Sequence, residues 1–312
     1  KNWIELQHKT DTEQAIYAVV DYHGITTPFY PKEFKDQVTD VVLDYLAVGL
    51  NPEKSLLIRQ SRVFAHTELA WIFGTITPVG WLERLPTYKE KISQVEESGN
   101  ERSKSYQNNT GLLTYPLLMA SDILVYKSNL VPVGDEQLKH IDIANEIAKR
   151  FNHLFGETFE PIKPYLTEGS HILSLQDPTK KMSKTGDEGI ALSDLPDTVE
   201  AKIKKAVTDS GDEIRFDTDN KPAISNLLTI YHLLSDKAME DIEKHYEGKS
   251  YTEFKKDLTE VIVSFLEPLQ EKRERFARDP GKVEEILAES EEKARVIANS
   301  TLREVKEKMG LI

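Results

Sequence analysis

Residues 177–188 read DPTKKMSKTGDE, a stretch in which Lys180, Lys181 and Lys184 surround a single Met182 beside Ser183 and Thr185. Ammonium and hydroxyl groups on one short loop are donors suited to a polyphosphate, while Met182 can pack into the protein and hold the loop against it. A departing pyrophosphate gains negative charge in the transition state, so lysines placed there stabilise that state more than ground-state ATP. A solvated turn is the other reading of the same composition.

Other positions offer complementary chemistry. Tyr115, Met119 and Asp122 are spaced i, i+4 and i+7, so on a helix their side chains share one face, and that face carries one carboxylate. The alternative for Asp122 is a helix residue turned to solvent. Gln137 follows VPVG in what reads as the first turn of a helix, where unbonded backbone N–H groups and a neutral amide suit a zwitterionic ligand. Asp135 and Glu136 fit equally as favourable charges at a helix N-terminus and as ligand contacts. His23 lies beyond a strand end beside Gly24, a place for a site histidine or a plain loop histidine. Lys89 and Lys91, in TYKEK, face either a phosphate or solvent.

These residues need a scaffold. EQAIYAVV (13–20) and SLLIRQS (55–61) read as strands, NLVPVG (129–134) as a third, and GSHILSL (169–175) as another. Between them, apolar residues at 34, 38, 41, 42, 45 and 46 have helical spacing, AHTELAWIFGTI and WLERLPTYKEK read as helical, and YPLLMASDILVYKS opens with Pro116 near its helix start. A long helix follows from DEQLKHI. This alternation predicts an α/β fold, a Rossmann-like and mainly parallel sheet with helices on both faces, whose ligands bind where strand ends meet helix starts. SQVEESGNERSKSYQNNT (93–110) has almost no apolar residues and reads as a solvated loop. Beyond residue 187 the texture becomes helical throughout, which divides the chain into a catalytic domain at 1–187 and an α-helical domain at 188–312. There the charges read mainly as solvated helix faces, except that EKRERFARDPGK clusters enough cations to suggest an RNA contact.

Composition bounds the alternatives. At 312 residues and 39% hydrophobic content the chain supports packed cores, and its net charge of −13 argues against a general nucleic-acid coat. Having no cysteine, it has no disulfide, thiol nucleophile or cysteine-bound metal, and a cytoplasmic location is expected. No apolar run approaches a membrane span.

The Lys-Met-Ser-Lys-Thr pattern resembles the Lys-Met-Ser-Lys-Ser signature loop of the class I aminoacyl-tRNA synthetases, with Thr185 keeping the last hydroxyl. Together with GLLTYPLLMASDIL (111–124), LVPVGDEQLKHI (130–141), AVTDS (206–210), ISNLL (224–228) and YEGKSY (246–251), it resembles the bacterial tryptophanyl-tRNA synthetases over nearly the full chain. The resemblance implies an enzyme that activates L-tryptophan with ATP and Mg²⁺, releases pyrophosphate and charges tRNA(Trp), working as a homodimer. It assigns the tryptophan site to Asp122, Tyr115, Met119, Gln137 and His23. ATP falls to Gly134, Asp135, Ile172, Lys181, Met182, Ser183 and Lys184, and catalysis to Lys181, Lys184, Ser183 and Lys91, with no metal-ligating residue. An indole N–H only donates, so a buried carboxylate at Asp122 matches it and phenylalanine would leave it unpaired. The resemblance places the family's other signature, a Gly-Asn variant of His-Ile-Gly-His, as an expectation just upstream of KNWIELQHK. The rival readings are a tyrosyl-tRNA synthetase and a non-catalytic synthetase-like binding protein.

Overall fold

The computed structural model describes residues 4, 6–7, 15–86, 88, 109–166, 172–180, 182 and 188–312. Strand β1 (Ala15–Val19) pairs in parallel with β2 (Ser55–Arg59), in register from Ala15↔Ser55 to Val19↔Arg59. Ser55, Leu56, Leu57 and Ile58 are all buried, the uninterrupted pattern of a parallel strand covered on both faces. After β1 comes a single turn, α1 (Asp21–Gly24), and then α2 (Pro31–Ala47). Pro31 suits a first helical position, and Gly49, at φ +104°, turns the chain back after the helix. A 3₁₀ turn, Gln60–Arg62, leads from β2 into α3 (Ala65–Ile76) and α4 (Val79–Glu83).

Helix α5 (Thr110–Leu124) starts well before Pro116, which lies in its interior and not near its start. The true start is set by Asn109, whose side chain accepts from Leu112 N at 3.0 Å and donates to Thr26 O at 3.2 Å. Strand β3 (Leu130–Val133) precedes α6 (Leu138–Phe155) and pairs in parallel with β4 (Lys163–Leu166). Sequence pattern did not reveal β4, because Pro164 and a largely exposed face disguise it. Both ladders are parallel as expected, but among the described residues they form two separate two-stranded sheets. β1 and β3 border a cavity of about 330 Å³ lined in part by Ile16, Ala18, Asp122, Tyr126 and Val131.

The described residues fall into two compact units, one within 1–167 and 279–312, the other within 168–278. This division runs differently from the expected boundary after residue 187. The last helix, α11 (Pro280–Lys308), packs on β2 and α3, and its Ala294, Ala298, Leu302 and Val305 share a core with Leu56, Phe73 and Phe151. Arg59 at the end of β2 also grips Glu291 (2.6 Å) and Glu284 (2.7 Å) on α11.

The second unit is helical: α7 (Pro196–Lys205), α8 (Pro222–Ser235), α9 (Met239–Tyr246) and α10 (Tyr251–Ala277). α10 begins at a reciprocal cap between Ser250 and Glu253 and packs on α7 and α8 through Phe254, Leu258 and Ile262. The described part of the expected strand at 169–175 is an irregular segment paired with the chain just beyond it: Met182 N donates to Ile172 O at 3.0 Å and Ser174 N to Lys180 O at 2.9 Å. No described helix is long and apolar enough to cross a membrane.

Candidate active site

The first unit concentrates polar groups at the C-terminal ends of β1 and β2. Just past β1, Asp21 accepts from Ser61 N at 2.9 Å and from Ser61 Oγ at 2.5 Å, tying the two strand ends together. Gln60, fully buried at the end of β2, accepts from Tyr22 N at 3.1 Å through Oε1. That bond orients its amide, so Nε2 points at Asp122 on α5, 2.8 Å from both carboxylate oxygens. His66 Nδ1 lies 2.5 Å from Oδ1 and His23 Nε2 3.0 Å from Oδ2. Asp122 therefore sits among three donors while its side chain keeps 14% exposure toward the cavity between β1 and β3. Burial alone would raise its carboxyl, but the hydrogen bonds from His23 and His66 outweigh this and hold it below the usual carboxylate range. It is a buried anion whose two oxygens are both engaged, and His23 is the more exposed of its two histidine donors.

Aromatic groups adjoin it. The His23 ring meets Tyr115 edge-on, with centroids 6.1 Å apart, and the Tyr115 hydroxyl bonds His140 Nε2 at 2.7 Å. His23, Tyr115 and Asp122 are thus brought together from the expected tryptophan set. Met119 is half-buried on the same helix and packs against the core. Gln137 does not open the first turn of α6: it closes a 3₁₀ turn, Asp135–Gln137, and the α-helix begins at Leu138. His140, whose ring bonds Tyr115, lies three residues further on in α6. Asp135 is exposed, and the carboxylate of Glu136 folds so closely over Gly134 that a side chain at 134 would collide with it.

In the second unit, Met182 and Ile172 both pack against the helical core, which gives Met182 the anchoring part its loop requires. The preceding segment is pinned by Asn226 of α8, which donates to Leu173 O at 2.9 Å and accepts from Leu173 N at 2.8 Å. Asp209 in turn caps α8, accepting from Ala223 N and Ile224 N. The AVTDS and ISNLL blocks thus have a physical purpose, which is to hold the approach to the lysine loop. Lys180 pairs with Asp177 at 3.1 Å on the surface. Lys181, Ser183, Lys184 and Lys91 lie outside the described residues. In the basic cluster, Arg278 pairs with Glu274 and Lys282 with Glu285, as charges on solvated helix faces do.

Sequence reading missed Gln60, His66, Tyr126 and the part played by Asn226. His66 carried a signal: with Leu69 and Phe73 it falls at i, i+3 and i+7, on the buried face of α3. Among the described residues no group of three or more His, Cys, Asp or Glu side chains is placed to hold a metal ion.

Parallel strands ending at a buried carboxylate, followed by a helical unit carrying a Lys-Met-Ser-Lys-Thr loop, define a class I synthetase. The profile of the tRNA synthetases class I (W and Y) matches residues 1–267, and the chain belongs to that family. Its similarity is to the tryptophan enzymes of bacteria. It is 40% identical to the tryptophan–tRNA ligase of Clostridium tetani, over 100% of this chain and 90% of that protein. The tryptophanyl-tRNA synthetase of Mycoplasma pneumoniae superposes with a TM-score of 0.86 at 34% identity, covering 98% of this chain and 90% of that one. That of Campylobacter jejuni, solved with ADP and tryptophan, gives 0.81 at 30% identity, over 99% and 92%.

Proposed function

We propose that this chain is a tryptophan–tRNA ligase. The carboxylate of L-tryptophan attacks the α-phosphorus of ATP, the bond to the bridging oxygen breaks, and pyrophosphate leaves. A ribose hydroxyl at the end of tRNA(Trp) then attacks the acyl carbon of tryptophanyl-adenylate and AMP departs. The observation that carries the reading is Asp122: a buried carboxylate kept ionised by donors from three elements, in a chain similar along its whole length to tryptophan enzymes. The indole N–H is its matching donor, Tyr115, Met119 and His23 adjoin the ring, and Gln137 reads the substrate amine. Phenylalanine brings no donor and would leave the carboxylate unpaired, so a site built around this acceptor discriminates against it.

Gly134, Asp135, Ile172 and Met182 are the ATP contacts of this reading, and Lys181, Ser183, Lys184 and Lys91 stabilise the charge that develops on pyrophosphate. Mg²⁺ enters with the nucleotide, held by its phosphates. The enzyme works in the cytoplasm, where its tRNA is used. It works as a homodimer, a reading supported by an apolar hollow of about 800 Å³ along α3, α4 and α5 with Trp71 and Val79 exposed at its edge. ATP–pyrophosphate exchange tests the assignment: tryptophan drives exchange, and exchange driven by tyrosine alone overturns it.

A further inference from the structure

His66 is fully buried, and the proposed chemistry gives it no task. Both its ring nitrogens are bonded, Nδ1 to Asp122 Oδ1 and, at 2.7 Å, Nε2 to the Tyr126 hydroxyl. Its carbonyl accepts from Ser121 Oγ at 2.6 Å, so the start of α3 is fastened to the residue next to Asp122 as well. An ionised carboxylate can only accept, which places the proton of the ring on Nδ1. Burial, followed by the negative charge of Asp122, raises the Tyr126 phenol and keeps its proton on, so Tyr126 can donate to Nε2. A neutral Nδ1–H imidazole with Tyr126 behind it satisfies all three groups and buries a single charge.

We propose that His66, backed by Tyr126, is a positioning residue that fixes the carboxylate of Asp122 for the indole N–H and so sets the enzyme's selectivity for tryptophan. His66 and Gln60 occupy Oδ1, Gln60 and His23 occupy Oδ2, and of the two histidines His23, at 19% side-chain exposure against 0% for His66, is the one that can yield to substrate. Without His66 the carboxylate loses one of the three donors that restrain its rotation and keeps only Gln60 on Oδ1. The inference rests on the reading of Asp122 as the indole acceptor.

The test measures ATP–pyrophosphate exchange with tryptophan, tyrosine and phenylalanine for His66→Leu, His66→Asn and Tyr126→Phe, alone and in an Asp122→Ala background. His66→Leu is expected to raise the KM for tryptophan and to narrow selectivity by about tenfold to a hundredfold, the range for a buried hydrogen bond to a charged group, with the KM for ATP unchanged. His66→Asn, whose amide can replace Nδ1–H, restores most of the loss, and Tyr126→Phe gives a smaller change in the same direction. In the Asp122→Ala background His66→Leu changes selectivity no further, whereas a merely structural role predicts the same loss in both backgrounds. Unchanged selectivity in Asp122→Ala itself overturns the substrate role of Asp122 and this inference with it. With that role intact, unchanged selectivity in His66→Leu, or equal losses in both backgrounds, overturns the inference alone. Should His66→Leu fail to fold, ¹⁵N NMR of the unaltered protein decides: a protonated Nδ1 and bare Nε2 on His66 support the proposal, and the reverse tautomer overturns it.

Discussion

At Asp122 the donors arrive from positions 23, 60 and 66, as far as 99 residues away in sequence, while the segment before the lysine loop pairs with the chain just beyond it and with one side chain of α8. The two regions serve opposite needs. A recognition carboxylate must be immobile and desolvated, so it draws partners from several elements whose core fixes them. The segment that leads to the lysine string is held locally instead, by Met182 packed on the helical core and by Asn226. Substitutions around Asp122 should therefore alter which amino acid is accepted, and substitutions around the loop should alter how fast it reacts.

The largest effect that could break this contrast is expected from Asp122→Ala. Loss of the acceptor should lower kcat/KM for tryptophan by about 10³-fold, somewhat less than the roughly 10⁴–10⁵-fold by which a hydrogen-bonding site rejects a substrate lacking the matching group, and erode discrimination against phenylalanine. Steady-state exchange kinetics check it, and unaltered selectivity would remove Asp122 from recognition. Next, Lys184→Ala should slow adenylation by about 10²-fold with little change in tryptophan affinity, since its partner charge develops on the leaving group. Single-turnover rates beside equilibrium binding separate the two quantities.

A smaller effect sharpens the comparison. Asn226→Ala removes both bonds to Leu173 and leaves half-buried backbone groups without that partner, a change expected to cost about 1 kcal/mol in urea unfolding. It should also lower the adenylation rate while selectivity among amino acids stays as it was. Selectivity that moved with Asn226 would erase the distinction between the two regions.

The smallest effect is one of pH. The carboxyl of Asp122 titrates in the folded protein below its ordinary value of 3.8, so its contribution to stability is fully present above that value and is lost as pH falls through the lower, folded value. The difference in melting temperature between the unaltered protein and Asp122→Asn should be constant from about pH 7 to 5 and shrink only below about pH 4. A difference that vanished between pH 7 and 5 would mean that the carboxylate is not held by its donors.

The two regions were also legible to different degrees. Helical spacing located α2, α3 and the helices of the second unit because each has one apolar face, and the Lys-Met-Ser-Lys-Thr string is local enough to be read whole. The i, i+4, i+7 spacing placed Tyr115 and Asp122 on α5, and the structure adds His23 beside both. Gln60, His66 and Tyr126 escaped notice because their value lies in partners that only the folded chain brings near. Pro116 and Pro164 misled for a related reason: tertiary packing accommodates a proline inside α5 and another in β4, against their local preference.

A structure of the protein with bound tryptophan tests the central claim most directly. The indole nitrogen should lie about 2.7–3.2 Å from a carboxylate oxygen of Asp122, with His66 still on Oδ1. An indole N–H bonded elsewhere, with Asp122 left to its three protein donors, would contradict the account.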